Sequence, residues 1–243
     1  MLTNAPIAMR MGQINELSRL CGNAPVIPAD ATLVEDIEKL YRQTMEHFGG
    51  GVDFLLHSIG MSPNVRKGKD YGDLNYEWFL KTLDISGLSF HKIMQVAEKT
   101  DLMNEWGSIL ALTYIAAQRT FPNYSDMAQA KALLESIARS YGYRLAVRKK
   151  VRVNTISQSP TVTTAGTGIS GFDVFYEYAR KMSPLGNATA EDCANYCVVM
   201  FSDLTRRVTM QNLYHDGGFS TAGITQEMVD QLMRLKEDRP GNP

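Results

Sequence analysis

A tyrosine and a lysine with helical spacing are the residues of this sequence whose side chains could act together in one reaction. Tyr124 and Lys131 lie seven residues apart in an alanine-rich stretch that is typical of a helix. At about 100° per residue, seven residues fall within ~20° of two full turns, which places the side chains on one face, roughly 10.5 Å apart along the axis. Met127 and Ala128 lie between them on that face, and the small Ala128 side chain leaves room for a flat ligand.

A phenol beside an ammonium group has a defined chemical use. The cation favours partial negative charge on the phenol oxygen and can hold hydroxyl groups of a ligand, while the phenol can donate to a developing oxyanion. The plainer alternative is a tyrosine at a helix start and an unrelated surface lysine. Spacing alone favours this alternative, because single-sequence assignments are weak.

The elements around this pair indicate an α/β fold. Residues 107–113 form an apolar run typical of a buried strand, Pro122 and Asn123 then break the chain, and Ser125 or Asp126 is expected to cap the next helix. Further strands are predicted over 26–29, 52–57, 151–157 and 211–215, and helices over 6–20, 32–48 and 75–99, the second opened by a capping box at 32–35.

This alternation of strands and helices predicts a Rossmann-type doubly wound parallel sheet in a single domain over residues 1–243, with a helical, polar tail over about 222–243. Ligands of such sheets bind at the carboxyl ends of the strands. Four residues fall at or just past predicted strand ends, namely Asp30, Ile59, Tyr114 and Thr161.

The composition excludes several classes of protein. A hydrophobic fraction of 44% with 21% charged residues is ordinary for a soluble globular protein, and the net charge of -1 indicates neither a nucleic-acid nor a membrane partner. Three cysteines and four histidines include no pair or cluster at convincing metal-ligand spacing, so no metal is expected. The cytoplasm is the expected location, because no secretory signal or membrane span is present.

The order Tyr114, Tyr124 and Lys131, followed by Val-Arg-Val-Asn-Thr-Ile-Ser at 151–157 and Asp216-Gly-Gly-Phe219, resembles the NADH-dependent enoyl-[acyl-carrier-protein] reductases. This family is a divergent branch of the short-chain dehydrogenase/reductases, and the resemblance extends from about Asn4 to Ser220. Ordinary members of the larger group carry lysine four residues after the tyrosine and serine thirteen before it. Here those positions hold Ala128 and Ala111, which favours an enoyl reductase over a ketone reductase.

The resemblance implies roles for particular residues. Tyr124 would donate to the thioester carbonyl as it becomes an enolate, Lys131 would hold the nicotinamide ribose, and Tyr114 would be a further active-site residue. Substrate contacts are implied for Tyr114, Tyr124 and Ser62, although relatives have alanine at the last position. Contacts with the cofactor NADH are implied for Lys131 and for a set in the strand-end loops, namely Asp30, Ala31, Ile59, Thr161, Val162, Thr163, Thr164 and Ala165. An acyl pocket or plain core packing is left open for Ile169, Phe172, Phe175 and Tyr176.

The implied activity is NADH-dependent reduction of the trans-2 double bond of enoyl thioesters on acyl carrier protein in fatty-acid biosynthesis, by a homotetramer.

By the same resemblance the chain begins inside the family's second strand. It would therefore lack the first strand and the glycine-rich loop. Because that strand lies between the strands that begin at Val26 and Val52, its loss would expose strand edges there. Gly166-Thr-Gly-Ile-Ser-Gly171 matches a dinucleotide pattern but has the wrong context for that loop. Two alternatives remain: a 3-ketoacyl reductase of the same fold, and a cofactor-deficient homologue that acts only as an assembly partner.

Overall fold

The computed structural model describes residues 1–6, 13–122, 124–162 and 171–237. Within these residues it contains two parallel β-sheets. Strands β1 and β2 pair with each other, and β3, β4, β5 and β6 form a second sheet in that order, with every pairing parallel. The strand bounds are β1 Leu2–Asn4, β2 Val26–Pro28, β3 Val52–His57, β4 Met103–Thr113, β5 Arg152–Gln158 and β6 Asn212–His215. The predicted strands are all confirmed, with 52–57 exact and β4 longer than expected.

Helices connect the strands and cover both faces of the larger sheet. Their bounds are α1 Gln13–Leu20, α2 Val34–Phe48, α3 Pro63–Arg66, α4 Tyr76–Leu83, α5 Ser89–Lys99, α6 Ser125–Lys149, α7 Phe172–Met182, α8 Ala190–Phe201 and α9 Gln226–Glu237. On one face, Phe90 of α5 and Leu134 of α6 are fully buried against Ile109 and Val153 of the sheet. On the other, Cys197 of α8 packs near Ile156. The Rossmann-type α/β architecture is thereby confirmed.

The helix start predicted at 32–35 has different chemistry in the structure. No side chain caps the start of α2, which follows Leu33, so the capping box predicted at 32–35 is wrong. The Thr32 hydroxyl instead donates to Asp30 Oδ1 at 2.7 Å, an interaction within the turn that competes with capping. A reciprocal capping box does open α8, between Thr189 and Asp192.

The edge of β3 opposite β4 has no strand partner in the part of the chain that the structure describes. The predicted exposed strand edge is therefore present, and Phe54 and Leu56 on this strand are also 57% and 47% exposed. The G-x-G-x-x-G match at 166–171 lies, apart from Gly171, outside the described residues. No helix among those described is both long and apolar enough to cross a membrane.

The helix predicted over 75–99 is interrupted by one π-helical turn, Asp84–Leu88, between α4 and α5. Within that turn Gly87 lies directly against α6. A Cβ atom at this position would lie 3.0 Å from the main-chain oxygen of Ala130 and 3.0 Å from Leu133 Cδ2. Because the Ala130 oxygen belongs to the helix backbone, it cannot move without shifting α6.

We therefore expect Gly87→Ala to destabilise the protein by about 1–3 kcal/mol, the usual cost of overpacking a close contact. Chemical denaturation measures the change. Gly50→Ala is the matched control, because no atom lies within 4 Å of a Cβ at Gly50. Equal stability of the two variants would contradict the close approach of the π-helical turn to α6.

Candidate active site

Lys131 is carried by the second turn of α6 to the carboxyl ends of two neighbouring strands. Its ammonium group donates to Leu112 O of β4 at 2.9 Å and lies 3.3 Å from Ile59 O, two residues past β3. The side chain is only 8% exposed. An ammonium group has three N–H donors, and these carbonyl groups account for two. The third has no partner among the described residues, so it can meet a hydroxyl group of a ligand.

The charge of Lys131 is set by two opposing effects. Burial lowers the pKa of Lys131 to about 8, and the negative charge of Glu135 partly opposes this shift. Glu135 lies one turn further along α6 and is itself buried. Its carboxylate accepts from Thr113 Oγ1 at 2.9 Å and from Gln118 Nε2 at 3.1 Å. With a pKa near 8, most of the Lys131 population keeps its positive charge at neutral pH.

Removing the charge of Glu135 should therefore move the pH dependence of the reaction. In the Glu135→Gln variant we expect the pKa of Lys131 to fall below about 8, because the carboxylate favours the charged ammonium group. The alkaline limb of kcat/KM should then move to lower pH, as measured over a pH series with thermal unfolding as a check on folding. Glu38→Gln, at an exposed position of α2, is the control. An unmoved limb would show that Glu135 does not set this pKa.

Tyr124 immediately precedes α6. It occupies the N-cap position, the helix begins at Ser125, and no side chain bonds the first turn. The prediction that Ser125 or Asp126 caps this helix is wrong. Asp126 is instead fully buried and accepts from Ser62 Oγ at 2.6 Å, Asn64 Nδ2 at 2.7 Å and Thr82 Oγ1 at 2.9 Å. These bonds join the start of α6 to the segment after β3 and to α4, and so hold Tyr124 in place.

Ser62 is part of this support. Its side chain is 3% exposed, and its hydroxyl accepts from Val65 N at 3.0 Å while donating to Asp126. Ser62 thus caps α3. The hydroxyl of Ser62 is therefore used within the protein. The substrate contact implied for this position stays a prediction.

Tyr114 lies against Tyr124 directly after β4. Their ring centroids are 5.3 Å apart, and Phe175 of α7 lies 5.6 Å from the Tyr114 ring. Burial raises the pKa of both phenols well above the ordinary value for tyrosine. Both therefore stay neutral and able to donate a proton or a hydrogen bond. The Tyr114 hydroxyl is buried without a hydrogen-bond partner among the described residues.

Tyr124 forms part of the wall of a cavity of about 770 Å³. Its lining is mostly aromatic and aliphatic and comes from the segment after β4, from α7 and from the turn after β6. Its members include Ile115, Arg119, Phe121, Tyr124, Phe175 and Phe219. Met127 packs with Tyr124 in one apolar cluster. A Cβ atom at Gly60 would lie 3.6 Å from Lys131 Nζ and 3.9 Å from Met127 Cε. Met127 therefore lies near both Tyr124 and the Lys131 ammonium group.

Some cavity residues were not predicted. Phe121 precedes the Pro122 break, and Phe219 follows a turn in which Asp216 accepts from Gly218 N and Ser220 N, each at 3.1 Å. Gly217 has φ of 64°, and a Cβ there would collide with Gly186 O. The Asp-Gly-Gly-Phe sequence was a local signal for this turn. Of the α7 residues left open between pocket and core, Phe175 lines the cavity, whereas Phe172 and Tyr176 pack on each other at 5.8 Å.

The residues predicted to bind a cofactor lie at strand ends where they are described. Asp30 follows β2, and its turn is tied to α5 because Lys92 Nζ donates to Thr32 O at 2.8 Å. One turn earlier in α5, Ser89 bonds His57 at the end of β3, with Oγ and Nε2 3.0 Å apart. The turn containing Asp30 and Ala31 is thus linked, through α5, to the carboxyl end of β3 and to Ile59.

Thr161 follows β5, and its hydroxyl lies 3.0 Å from Ser159 O and 3.3 Å from Gln158 Nε2. The side chain of Val162 is 63% exposed. The remaining predicted positions in this loop, Thr163, Thr164 and Ala165, and the pocket candidate Ile169, lie outside the described residues.

A lysine on the helix after β4, a tyrosine at the start of that helix and a parallel α/β sheet are the arrangement expected of the short-chain dehydrogenase/reductases, the group that the sequence resembles. The family model described as "Enoyl-(Acyl carrier protein) reductase" matches residues 1–220. The chain therefore belongs to the enoyl-(acyl carrier protein) reductase family.

Individual relatives agree with this assignment. The chain is 36% identical over 205 residues to enoyl-[acyl-carrier-protein] reductase [NADH] 2 of Rhizobium meliloti, covering 82% of this chain and 73% of that protein. It is 32% identical over 214 residues to the reductase FabI of Aquifex aeolicus, covering 87% and 78%. The crystal structure of a FabI–NADH complex from Alistipes finegoldii superposes with a TM-score of 0.90 at 63% identity, covering 92% of this chain and 79% of that one.

Proposed function

We propose that this protein reduces the trans-2 double bond of enoyl thioesters attached to acyl carrier protein, using NADH, as a step of fatty-acid biosynthesis. Membership of the reductase family supports the reaction type, and the relatives are named for NADH and the acyl-carrier-protein substrate. The observation on which the proposal mainly rests is the position of Lys131 at the carboxyl ends of β3 and β4, with Tyr124 at the start of the same helix. The lysine has one N–H unused at the strand ends, and the tyrosine lies on the wall of an apolar cavity.

The residues present fit a dinucleotide. The unused N–H of Lys131 suits a ribose hydroxyl, and its two carbonyl partners fix the direction of the ammonium group. Gly60 leaves the space beside that ammonium group without a side chain. We therefore assign Lys131, Ile59, Asp30, Ala31, Thr161, Val162, Thr163, Thr164 and Ala165 to the cofactor side of the site. When bound, NADH supplies the hydride that adds to the β carbon of the substrate.

The protein's own groups handle the negative charge that this addition creates. The neutral Tyr124 phenol donates to the thioester oxygen as that oxygen gains charge, which stabilises the enolate. Lys131 keeps positive charge beside the ligand and fixes its position. Tyr114 packs on the Tyr124 ring at 5.3 Å between centroids, which restricts the direction of the phenol. The aromatic and aliphatic cavity side chains receive the acyl chain and exclude water from the enolate.

The test is the loss of NADH absorbance on addition of a crotonyl or longer enoyl thioester, with the saturated thioester identified by mass spectrometry. A 3-ketoacyl substrate is the comparison, since Ala111 and Ala128 stand where ketone reductases of this fold carry serine and lysine. Turnover of the ketone alone would reject the proposal. A titration with NADH decides the remaining alternative, because stable oligomers that bind no NADH would indicate an assembly partner.

We also propose that the protein forms a homotetramer in the cytoplasm. Exposed apolar side chains support subunit contacts, with Tyr143 and Val147 on α6 at 66% and 64% exposure and Val198 on α8 at 66%. The three cysteines are free thiols, which suits a reducing compartment. Light scattering coupled to size-exclusion chromatography tests the assembly, and a monomeric mass would reject it.

A further inference from the structure

Arg119 lies at the exposed rim of the cavity described above. It follows the 3₁₀ turn Ile115–Ala117 between β4 and α6, and its main-chain N–H donates to Ile115 O at 3.0 Å. The neighbouring residue Gln118 is fixed at both ends of its amide group. Its Nε2 donates to Glu135 Oε2 at 3.1 Å, and its Oε1 accepts from the Tyr214 hydroxyl. The backbone that carries Arg119 is therefore tied to α6 and β6, although the side chain itself faces solvent.

The charge of Arg119 has no counterpart in its surroundings. It is the only Lys, Arg, Asp or Glu side chain among the described residues that line this cavity. Within the described ranges, no carboxylate forms an ion pair with it and no side-chain hydrogen bond holds its guanidinium group. An unpaired guanidinium group at the mouth of an apolar cavity is available to bind an anionic group that a ligand brings to that point.

The chemistry of a carrier-bound thioester supplies such a group. The acyl chain is apolar and suits the aromatic cavity, and the arm that leads from the thioester to a carrier protein ends in a phosphodiester. We propose that Arg119 binds this phosphate and so selects carrier-bound substrates over simple thioesters. The planar guanidinium fork matches the oxygens of a phosphate group. This inference rests on the function proposed above, because it concerns the substrate of the same site.

The experiment compares thioesters of one enoyl acid on three carriers: acyl carrier protein, coenzyme A and N-acetylcysteamine. The first two carry the arm with its phosphate, and the third has no phosphate. For Arg119→Ala we expect KM to rise about five- to tenfold with both phosphate-bearing substrates. KM for the N-acetylcysteamine substrate and kcat for all three should stay near wild type. Arg119→Lys should recover part of the loss, because it restores the charge without the fork.

Arg42→Ala is the matched control, since Arg42 is an exposed arginine on α2 outside the cavity lining. An unchanged KM for every substrate in Arg119→Ala would overturn the proposal, as would an equal rise with the phosphate-free thioester. A rise with acyl carrier protein alone would also overturn it, because the contact would then lie on the surface of the carrier protein. Failure of the wild-type protein to turn over even the N-acetylcysteamine substrate would be different, since it would reject the proposed reductase function itself and this inference with it.

Discussion

The Tyr124→Phe variant is expected to reduce enoyl thioesters about 10²–10³-fold more slowly than the wild type, with the dissociation constant for NADH nearly unchanged. The substitution removes only the hydroxyl that donates to the developing enolate, and loss of one such donor typically costs this much in kcat. The ring that packs with Tyr114 and Met127 is kept, so folding should be preserved. Steady-state kinetics with saturating NADH and a fluorescence titration of NADH separate the two effects.

Tyr76→Phe is the matched control for this variant, since Tyr76 is an 80% exposed phenol on α4, outside the cavity lining. It should be as active as the wild type. If Tyr124→Phe kept its full kcat, the phenol could not be the group that stabilises the enolate, whatever its place in the cavity wall.

The Lys131→Met variant should lose NADH binding and, with it, about 10²-fold or more in kcat/KM, because the group that orients the cofactor is gone. Methionine has a similar length and no charge. The two carbonyl groups that accept from Lys131, Leu112 O and Ile59 O, would each lose a partner, while the desolvation cost of a buried ammonium group would also disappear. We therefore expect a much smaller change in folding stability than in activity, measured by chemical denaturation alongside the NADH titration.

Lys81→Met, at an exposed position of α4, controls for the removal of a surface charge. Undiminished affinity for NADH in Lys131→Met would mean that the lysine supports only the protein framework.

The sequence alone predicted those features that depend on local pattern. The run at 52–57 defined β3 exactly, because a short, mostly apolar stretch between glycine-rich or polar segments indicates a parallel strand even where that strand is not buried. The seven-residue spacing of Tyr124 and Lys131 predicted that both lie on one helix, and the structure has Lys131 on α6 and Tyr124 at its N-cap position. The common direction of the two side chains that the helical period indicates stays a prediction.

Tertiary contacts explain what the sequence could not predict. Asp126 would cap α6 if only neighbours in sequence mattered. Its carboxylate instead accepts hydrogen bonds from Ser62, Asn64 and Thr82, which are distant in the sequence. The π-helical turn depends on the close approach of Gly87 to α6. The cavity depends on Phe121 and Phe219, which are 98 positions apart in the printed sequence and meet at 5.9 Å between ring centroids. No local pattern encodes such a distant meeting.

We infer that Tyr124 and Lys131 hold a dinucleotide and an unsaturated thioester in one site. A crystal structure of the protein with NAD⁺ and a bound thioester analogue tests it most directly. We expect the Lys131 ammonium group to bond the ribose hydroxyls of the nicotinamide end and the Tyr124 hydroxyl to bond the thioester oxygen, with the acyl chain among Phe121, Phe175 and Phe219. A dinucleotide bound away from Lys131, or a thioester whose oxygen lies beyond the reach of Tyr124, would contradict it.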